Sequence, residues 1–305
     1  MSTPIALIGL ASMGAALANC LLNSGQAIRI WNRTSTRPAI QDLVDKGAHL
    51  APSILSTVKP CSVVVVCVLD YAGLTTILAN ADAESFKDKP IINLTNGTIS
   101  EADAMSDKML QVHGVAAYFD GAIVTTPKLV GTEASFLFCS GGSADLFEGE
   151  VSRVLGYFGK ADYLGAEPGA AALHDLALLA AMYGMFDGTL PAIGLLAQCV
   201  GSSSLSKTTE QGPVTSIVSS RLVPMLEALL PALVGRAEQV EIGADSAGDH
   251  PNDMMAQGLR NIVKTCDDAG VDAGAAKHLL SVFELVEREG GGKGGMGLVG
   301  RKYFR

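Results

Sequence analysis

Pro4–Trp31, PIALIGLASMGAALANCLLNSGQAIRIW, is the stretch whose reading decides the fold. A short apolar run closes on Gly9, helical periodicity covers Ala15–Asn23 with Gly25 to stop it, and Ala27–Trp31 returns as a second strand. Strand, glycine turn, helix and strand within about thirty residues is the setting of a dinucleotide-binding turn. The turn itself is Gly9-Leu10-Ala11-Ser12-Met13-Gly14. Alanine stands at the middle position, where a pyrophosphate approaches the backbone closely, and adds one methyl group there.

Working outward, the second strand ends in Asn32-Arg33-Thr34-Ser35-Thr36-Arg37. A fold of this kind that takes NAD usually carries Asp or Glu here for the ribose hydroxyls. Asn32 is neutral, and Arg33 and Arg37 flank three hydroxyl residues, a group that suits the dianionic 2'-phosphate of NADP(H). Cys61–Leu69, CSVVVVCVL, has the β-branched character of a central parallel strand covered on both faces, and it brings Leu69 to the cofactor crevice. Lys89–Leu94 is another strand, followed by Thr95-Asn96-Gly97-Thr98, again at a carboxyl end. Residues 100–113 are expected to be helical, 116–119 a short strand, Asp120–Pro127 a loop, and 135–139 and 161–164 the last strands. Residues 1–164 thus form a doubly wound α/β Rossmann domain with a mostly parallel sheet.

The stretch Gly165–Phe186, GAEPGAAALHDLALLAAMYGMF, opens a second half of different character. Its Ala and Leu content predicts a long interdomain helix, with Glu167-Pro168 in the first turn, apolar on nearly every face and therefore buried on nearly every face. Residues 214–240, 252–269 and 272–289 continue with helical periodicity, so 165–305 reads as this helix plus an all-α domain. The tail GGGKGG at 290–295 reads as mobile.

Composition narrows the function. The net charge of -9 disfavours nucleic acid or an anionic membrane as partner. The six cysteines are scattered without CxxC pairs and read as buried thiols of a reducing compartment. The five histidines have no metal-ligand spacing, so no metal is expected. No apolar run reaches membrane-spanning length free of polar interruption or helix breakers, and the amino terminus lacks a basic leader. A cytoplasmic location is expected.

With a nicotinamide cofactor in the crevice, the chain must orient a substrate and supply a proton. Asp175 is the outstanding group, because no Lys or Arg lies between Lys160 and Lys207 to pair with it. A buried carboxyl either finds other partners or retains a proton. Tyr183 lies two turns on, broadly on the same side of the helix. On the residues alone, both could equally be structural: Asp175 a hydrogen-bonding group and Tyr183 a packing one. His174 points about a quarter-turn away and suits a structural hydrogen bond.

Taken together, GLxxMG, WNRT, VCVLD, INLTNGT, DGAIVTTP and PGAAALHDLALLAAMYGMF resemble the NADPH-dependent imine reductases, most closely their fungal reductive aminase branch, within the wider β-hydroxyacid dehydrogenases. The resemblance is strong over residues 1 to about 190. It implies NADPH/NADP+ as cofactor, carbonyl, amine and imine substrates, and Asp175, Tyr183 and Asn96 as catalytic residues. The wider dehydrogenases carry a catalytic lysine on the interdomain helix, and its absence here favours C=N over C=O chemistry, since ammonium repels a cationic iminium and carboxylate attracts it. Val124, Thr126, Met182 and Phe186 are candidate lining residues, with Met254 and Met255 a contribution from a partner subunit in a domain-exchanged homodimer. The alternatives are a lysine-less β-hydroxyacid dehydrogenase acting on C=O or CH–OH, and a catalytically silent NADP(H)-binding protein.

Overall fold

The computed structural model describes residues 3–82, 84–201, 212–242 and 251–304. The chain forms two compact units, residues 1–180 and 181–305. In the first, β1 (Ile5–Ile8), α1 (Ser12–Asn23), β2 (Ile28–Trp31), α2 (Pro38–Asp45), β3 (His49–Leu50), α3 (Ile54–Val58), β4 (Val63–Val66), α4 (Tyr71–Ala79), β5 (Pro90–Asn93) and α5 (Ile99–Gln111) alternate. β6 (Ala117–Val124), β7 (Phe136–Gly141), α6 (Ala144–Leu146), α7 (Ser152–Gly156) and β8 (Lys160–Tyr163) follow. The eight strands lie in the order β3-β2-β1-β4-β5-β6-β7-β8. All neighbours are parallel except β6 and β7. The order reverses direction around β1 and β4, which places the ligand crevice of such a sheet at their carboxyl ends.

The apolar run of β4 is buried on both faces. Val63 and Val65 join one core cluster with Ile5, Leu7 and Ile92, while Val64 and Val66 join another with Ala6, Ile8 and Ile91. Side chains alternate across a strand, so a sheet packed on both sides needs an unbroken apolar sequence.

One expectation is corrected here. Asp120–Val124 belongs to β6, which pairs with β7 from Phe119↔Gly141 to Val124↔Phe136. A charged residue followed by glycine reads as a loop, yet Asp120 is 2% exposed. Three side-chain donors satisfy its carboxylate inside the sheet.

α8 (Ala170–Val200) is the long helix expected from the sequence. It starts two residues after Pro168, so Glu167-Pro168 precedes it rather than forming its first turn. It is also less buried than its composition implies: Ala171, Ala172 and Asp175 are covered, whereas Leu173, Leu178, Tyr183, Met185, Phe186 and Leu190 are exposed in the single chain. Pro191 lies inside it and removes one backbone donor.

The second unit continues with α9 (Pro213–Ile217), α10 (Val223–Leu229), α11 (Ala232–Ile242), α12 (Asn252–Ala269), α13 (Gly274–Arg288) and α14 (Met296–Gly300). Ala256, Phe283, Val286 and Val299 form its buried core. The glycine-rich tail, expected to be mobile, is instead built in. Asn252 is fully buried, and its amide donates to the carbonyls of Gly291 and Gly295 at 3.1 and 3.0 Å. Glycine permits this approach: a Cβ at Gly291 would lie 2.7 Å from Val286 Cγ1.

Candidate active site

Two cavities open at the carboxyl ends of the strands in the first unit. The larger, about 520 Å³, is lined by Gly9, Leu10, Ala11, Asn32, Arg33, Thr34, Arg37 and Leu69 among others. The turn at its edge is glycine by necessity at both ends. Gly9 has φ +92°, and a Cβ there would fall 2.3 Å from the Cys67 carbonyl oxygen, while one at Gly14 would fall 2.0 Å from Gly9 O. Ala11 is the N-cap residue of α1 and offers no side-chain cap. The first-turn N–H groups therefore keep their capacity for an anion, aided by the helix dipole. Ser12 and Gly14 lie in that turn without lining the cavity.

Asn32 has a structural duty there. Its side-chain oxygen accepts from Leu10 N at 2.9 Å and its amide donates to Thr34 O at 2.9 Å, so it joins the glycine turn to the arginine loop. Arg33 and Arg37 are exposed and take part in no ion pair among the described residues. These features fit NADPH: an uncapped helix terminus behind a glycine cradle for the pyrophosphate, and two available guanidinium groups for the 2'-phosphate.

The smaller cavity, about 180 Å³, is lined by Met13, Cys67, Val68, Leu69, Leu94, Asn96, Ala122, Ile123 and Asp175. It shares Cys67, Val68 and Leu69 with the larger one. Burial pushes the Cys67 thiol up to about 12, which removes it as a nucleophile near neutrality. Asp175 is 6% exposed, and Asn96 Nδ2 donates to its Oδ2 at 2.5 Å. Burial raises the proton affinity of the Asp175 carboxyl above the ordinary aspartate range, and the Asn96 hydrogen bond opposes this.

The entry into α8 is pinned so that Asp175 arrives in place. Gly169 N donates to Asp103 Oδ1 at 3.0 Å, Ser140 Oγ donates to Pro168 O at 2.7 Å, and Ala171 N donates to Ser140 Oγ at 2.9 Å. His174 turns away, with Nδ1 2.8 Å from Ala170 O.

Asn96 and Asp175 are therefore in direct contact, and Met13 and Leu69 border the same space. Val124 is half-buried and Thr126 exposed, and neither lines the cavity. Tyr183, Met182, Phe186, Met254 and Met255 belong to the second unit, where the rings of Tyr183 and Phe186 meet edge to face at 6.2 Å. Ala122 and Ile123 were missed as lining residues because their segment reads as a loop. The alternation of a strand ending at a sheet's rim is the signal that could have found them.

The comparisons with known proteins agree with this geometry. Residues 4–165 match the NAD binding domain of 6-phosphogluconate dehydrogenase, and residues 167–300 match the C-terminal domain described as NADPH-dependent reductive aminase-like. Over 300 residues the chain is 33% identical to the NADPH-dependent reductive aminase of Aspergillus oryzae, spanning 97% of this chain and 94% of that one. The structure of a reductive aminase from Aspergillus terreus in complex with NADPH4, cyclohexanone and allyl amine has a TM-score of 0.88 at 32% identity, with both chains fully covered. An imine reductase from the same organism, in complex with NADPH4 and dibenz[c,e]azepine, gives 0.87 at 32% identity, again over the whole of both chains. With a phosphate cradle, an arginine loop and a buried carboxyl beside it, the chain belongs to the NADPH-dependent reductive aminases and is an NADP-dependent oxidoreductase.

Proposed function

We propose that the chain reduces imines and iminium ions formed from a ketone or aldehyde and a small amine, with Asp175, Asn96 and Tyr183 as its catalytic residues. The observation that carries this is the buried Asp175 carboxyl, held by Asn96 in a cavity that shares its wall with the cofactor cavity. Gly9, Ala11 and the first turn of α1 would hold the pyrophosphate of NADPH, and Arg33 and Arg37 its 2'-phosphate. The cofactor supplies hydride to the C=N carbon.

The residues supply the rest. An iminium is cationic, so a carboxylate in a low-dielectric cavity attracts it where the ammonium of a lysine would repel it. A carboxyl with raised proton affinity takes a proton from a bound ammonium, freeing the amine to add to the carbonyl; the carbinolamine loses its hydroxyl as water, and the carboxyl returns the proton to the imine nitrogen. Asn96 fixes the carboxyl's orientation. Tyr183 is assigned to position or relay the proton, and Met182, Phe186 and, from a partner subunit, Met254 and Met255 to shape the substrate space. Substrate-dependent NADPH consumption tests the reaction: with cyclohexanone and a small primary amine, turnover should require the amine. Equal turnover without amine would favour the carbonyl-reducing alternative, and Asp175→Ala should lower the rate by roughly a hundredfold.

We also infer a homodimer in which the helical parts are exchanged, acting in the cytoplasm on small molecules rather than on nucleic acid or a membrane. Two stretches, Ala170–Gln198 and Pro213–Ile242, are long and apolar enough to cross a bilayer. Each carries interruptions: Asp175, Asp187 and Pro191 in the first, Pro224 and Pro231 in the second. Exposed Leu229, Leu233 and Val234 in the second stretch suit a subunit interface. The division into residues 1–164 for NADP and 165–305 for substrate and dimer belongs to the same reading.

A further inference from the structure

Below the Asn96 loop lies a second polar cluster that the proposed chemistry does not use. Tyr71, Asn93, Tyr118 and Asp120 are all buried, at 4%, 0%, 1% and 2% exposure. Tyr71 Oη donates to Asp120 Oδ1 at 2.5 Å, and Tyr118 Oη donates to the same oxygen at 3.2 Å. Asn93 Nδ2 donates to Asp120 Oδ1 at 3.2 Å and to Tyr118 Oη at 2.9 Å. A sheet core of this kind is filled more cheaply by apolar side chains, since each buried polar group must recover its lost hydration. The cluster's position suggests what it provides.

Asn93 closes β5 and pairs in register with Asp120 on β6, and Tyr71 opens α4. The Tyr71 ring lies directly against the backbone of Gly97: a Cβ there would be 2.4 Å from ring atoms Cδ2 and Cε2. Gly97 is the residue after Asn96. On its other side, buried Thr95 accepts at Oγ1 from Val68 N at 3.3 Å. The loop that presents the Asn96 amide to Asp175 is therefore tied at Thr95 and rests at Gly97 on a tyrosine ring whose hydroxyl is bonded to Asp120.

We propose that Tyr71 and Asp120 are positioning residues for Asn96, holding its amide against the Asp175 carboxyl; this rests on the assignment of Asn96 and Asp175 to the reaction. Phenylalanine at 71 would keep the ring under Gly97 and lose only the anchor that orients it. The role is thus separable from filling the core.

The test is a double-mutant cycle on the full-length protein. Tyr71→Phe, Asn96→Ala and the double variant are compared for kcat with cyclohexanone, a small primary amine and NADPH, and for NADPH affinity by fluorescence. Tyr71→Phe should lower kcat about tenfold, leave NADPH affinity within about twofold, and cost less than about twofold more once Asn96 is already alanine. Wild-type kcat in Tyr71→Phe, or the same fold loss in both backgrounds, would overturn the proposal. Wild-type turnover in Asn96→Ala alone would instead overturn the underlying site assignment, so the two failures are told apart. Asp120→Asn, which keeps the side chain's size, provides the same cycle should Tyr71→Phe fold poorly.

Discussion

Asp175 and the two arginines of the β2–α2 loop show how much a single residue can reveal of its own role. A carboxylate in an apolar run with no Lys or Arg between Lys160 and Lys207 announces its own anomaly, because burial penalises the charged form. Its partner is less legible, since Asn96 reaches it across 79 residues and a polar loop residue has no periodicity to betray it. Asn32 illustrates the opposite outcome: read as part of a cofactor loop, it spends both ends of its amide on backbone groups and acts by shaping the loop. The proposed function gives discrimination between cofactors to Arg33 and Arg37. Arg37→Ala should raise KM for NADPH by roughly tenfold or more and leave KM for NADH nearly unchanged, the loss of one charge-assisted contact to a group that only NADPH carries. Equal losses with both cofactors would place Arg37 elsewhere in the cofactor's contacts.

At the scale of elements, β1 and β4 were legible because burial on both faces forces a continuous apolar sequence, while β2 alternates buried Ile28 and Ile30 with half-buried Arg29 and Trp31. β6 was legible only to Phe119, since its remainder opens with Asp120 and Gly121. What allows Asp120 into the sheet is the trio of donors from Tyr71, Asn93 and Tyr118, drawn from three different segments. Burial raises its carboxyl to about 7 from an ordinary value near 3.8, with the three hydrogen bonds opposing the shift. Between roughly pH 4 and 7 the folded chain accordingly retains a proton that the unfolded chain releases. This contribution to stability is full below that window and is lost as pH rises through it. Asp120→Asn lacks the titration, so across the window its unfolding free energy should decline less with rising pH than that of the parent, by up to about 1.4 kcal/mol per pH unit. Denaturant midpoints at about pH 5, 6, 7 and 8 measure it, and parallel profiles for the two proteins would assign the proton to another group.

For the whole molecule, the α/β half followed by a helical half follows from periodicity changing from two to 3.6 residues at about residue 165. Burial within the helical half was not legible in the same way. Composition records that α8 must be covered, but not whether its own chain or a second copy covers it. In the single chain Leu178, Met185, Leu190, Leu229, Leu233 and Val234 are all exposed, more apolar surface than a monomer in water ordinarily presents. Light scattering coupled to size exclusion should give twice the chain mass of 31.5 kDa, and Leu233→Glu should shift the population toward monomer. If Met254, Met255 and their neighbours complete the partner's substrate space, activity should fall with dimer content as the protein is diluted. A fully active monomer would exclude domain exchange.

The shared wall of Cys67, Val68 and Leu69 constrains how the enzyme can be altered. These three consecutive residues line both cavities, so on the proposed assignment of nucleotide to the larger and substrate to the smaller, diversity introduced there trades one affinity against another. Leu94, Ala122 and Ile123 border only the smaller cavity. Redesign of carbonyl or amine scope, whether by natural drift or in the laboratory, has its independent degrees of freedom on that β5–β6 side, where a larger or smaller side chain alters the substrate's room without touching the nucleotide's.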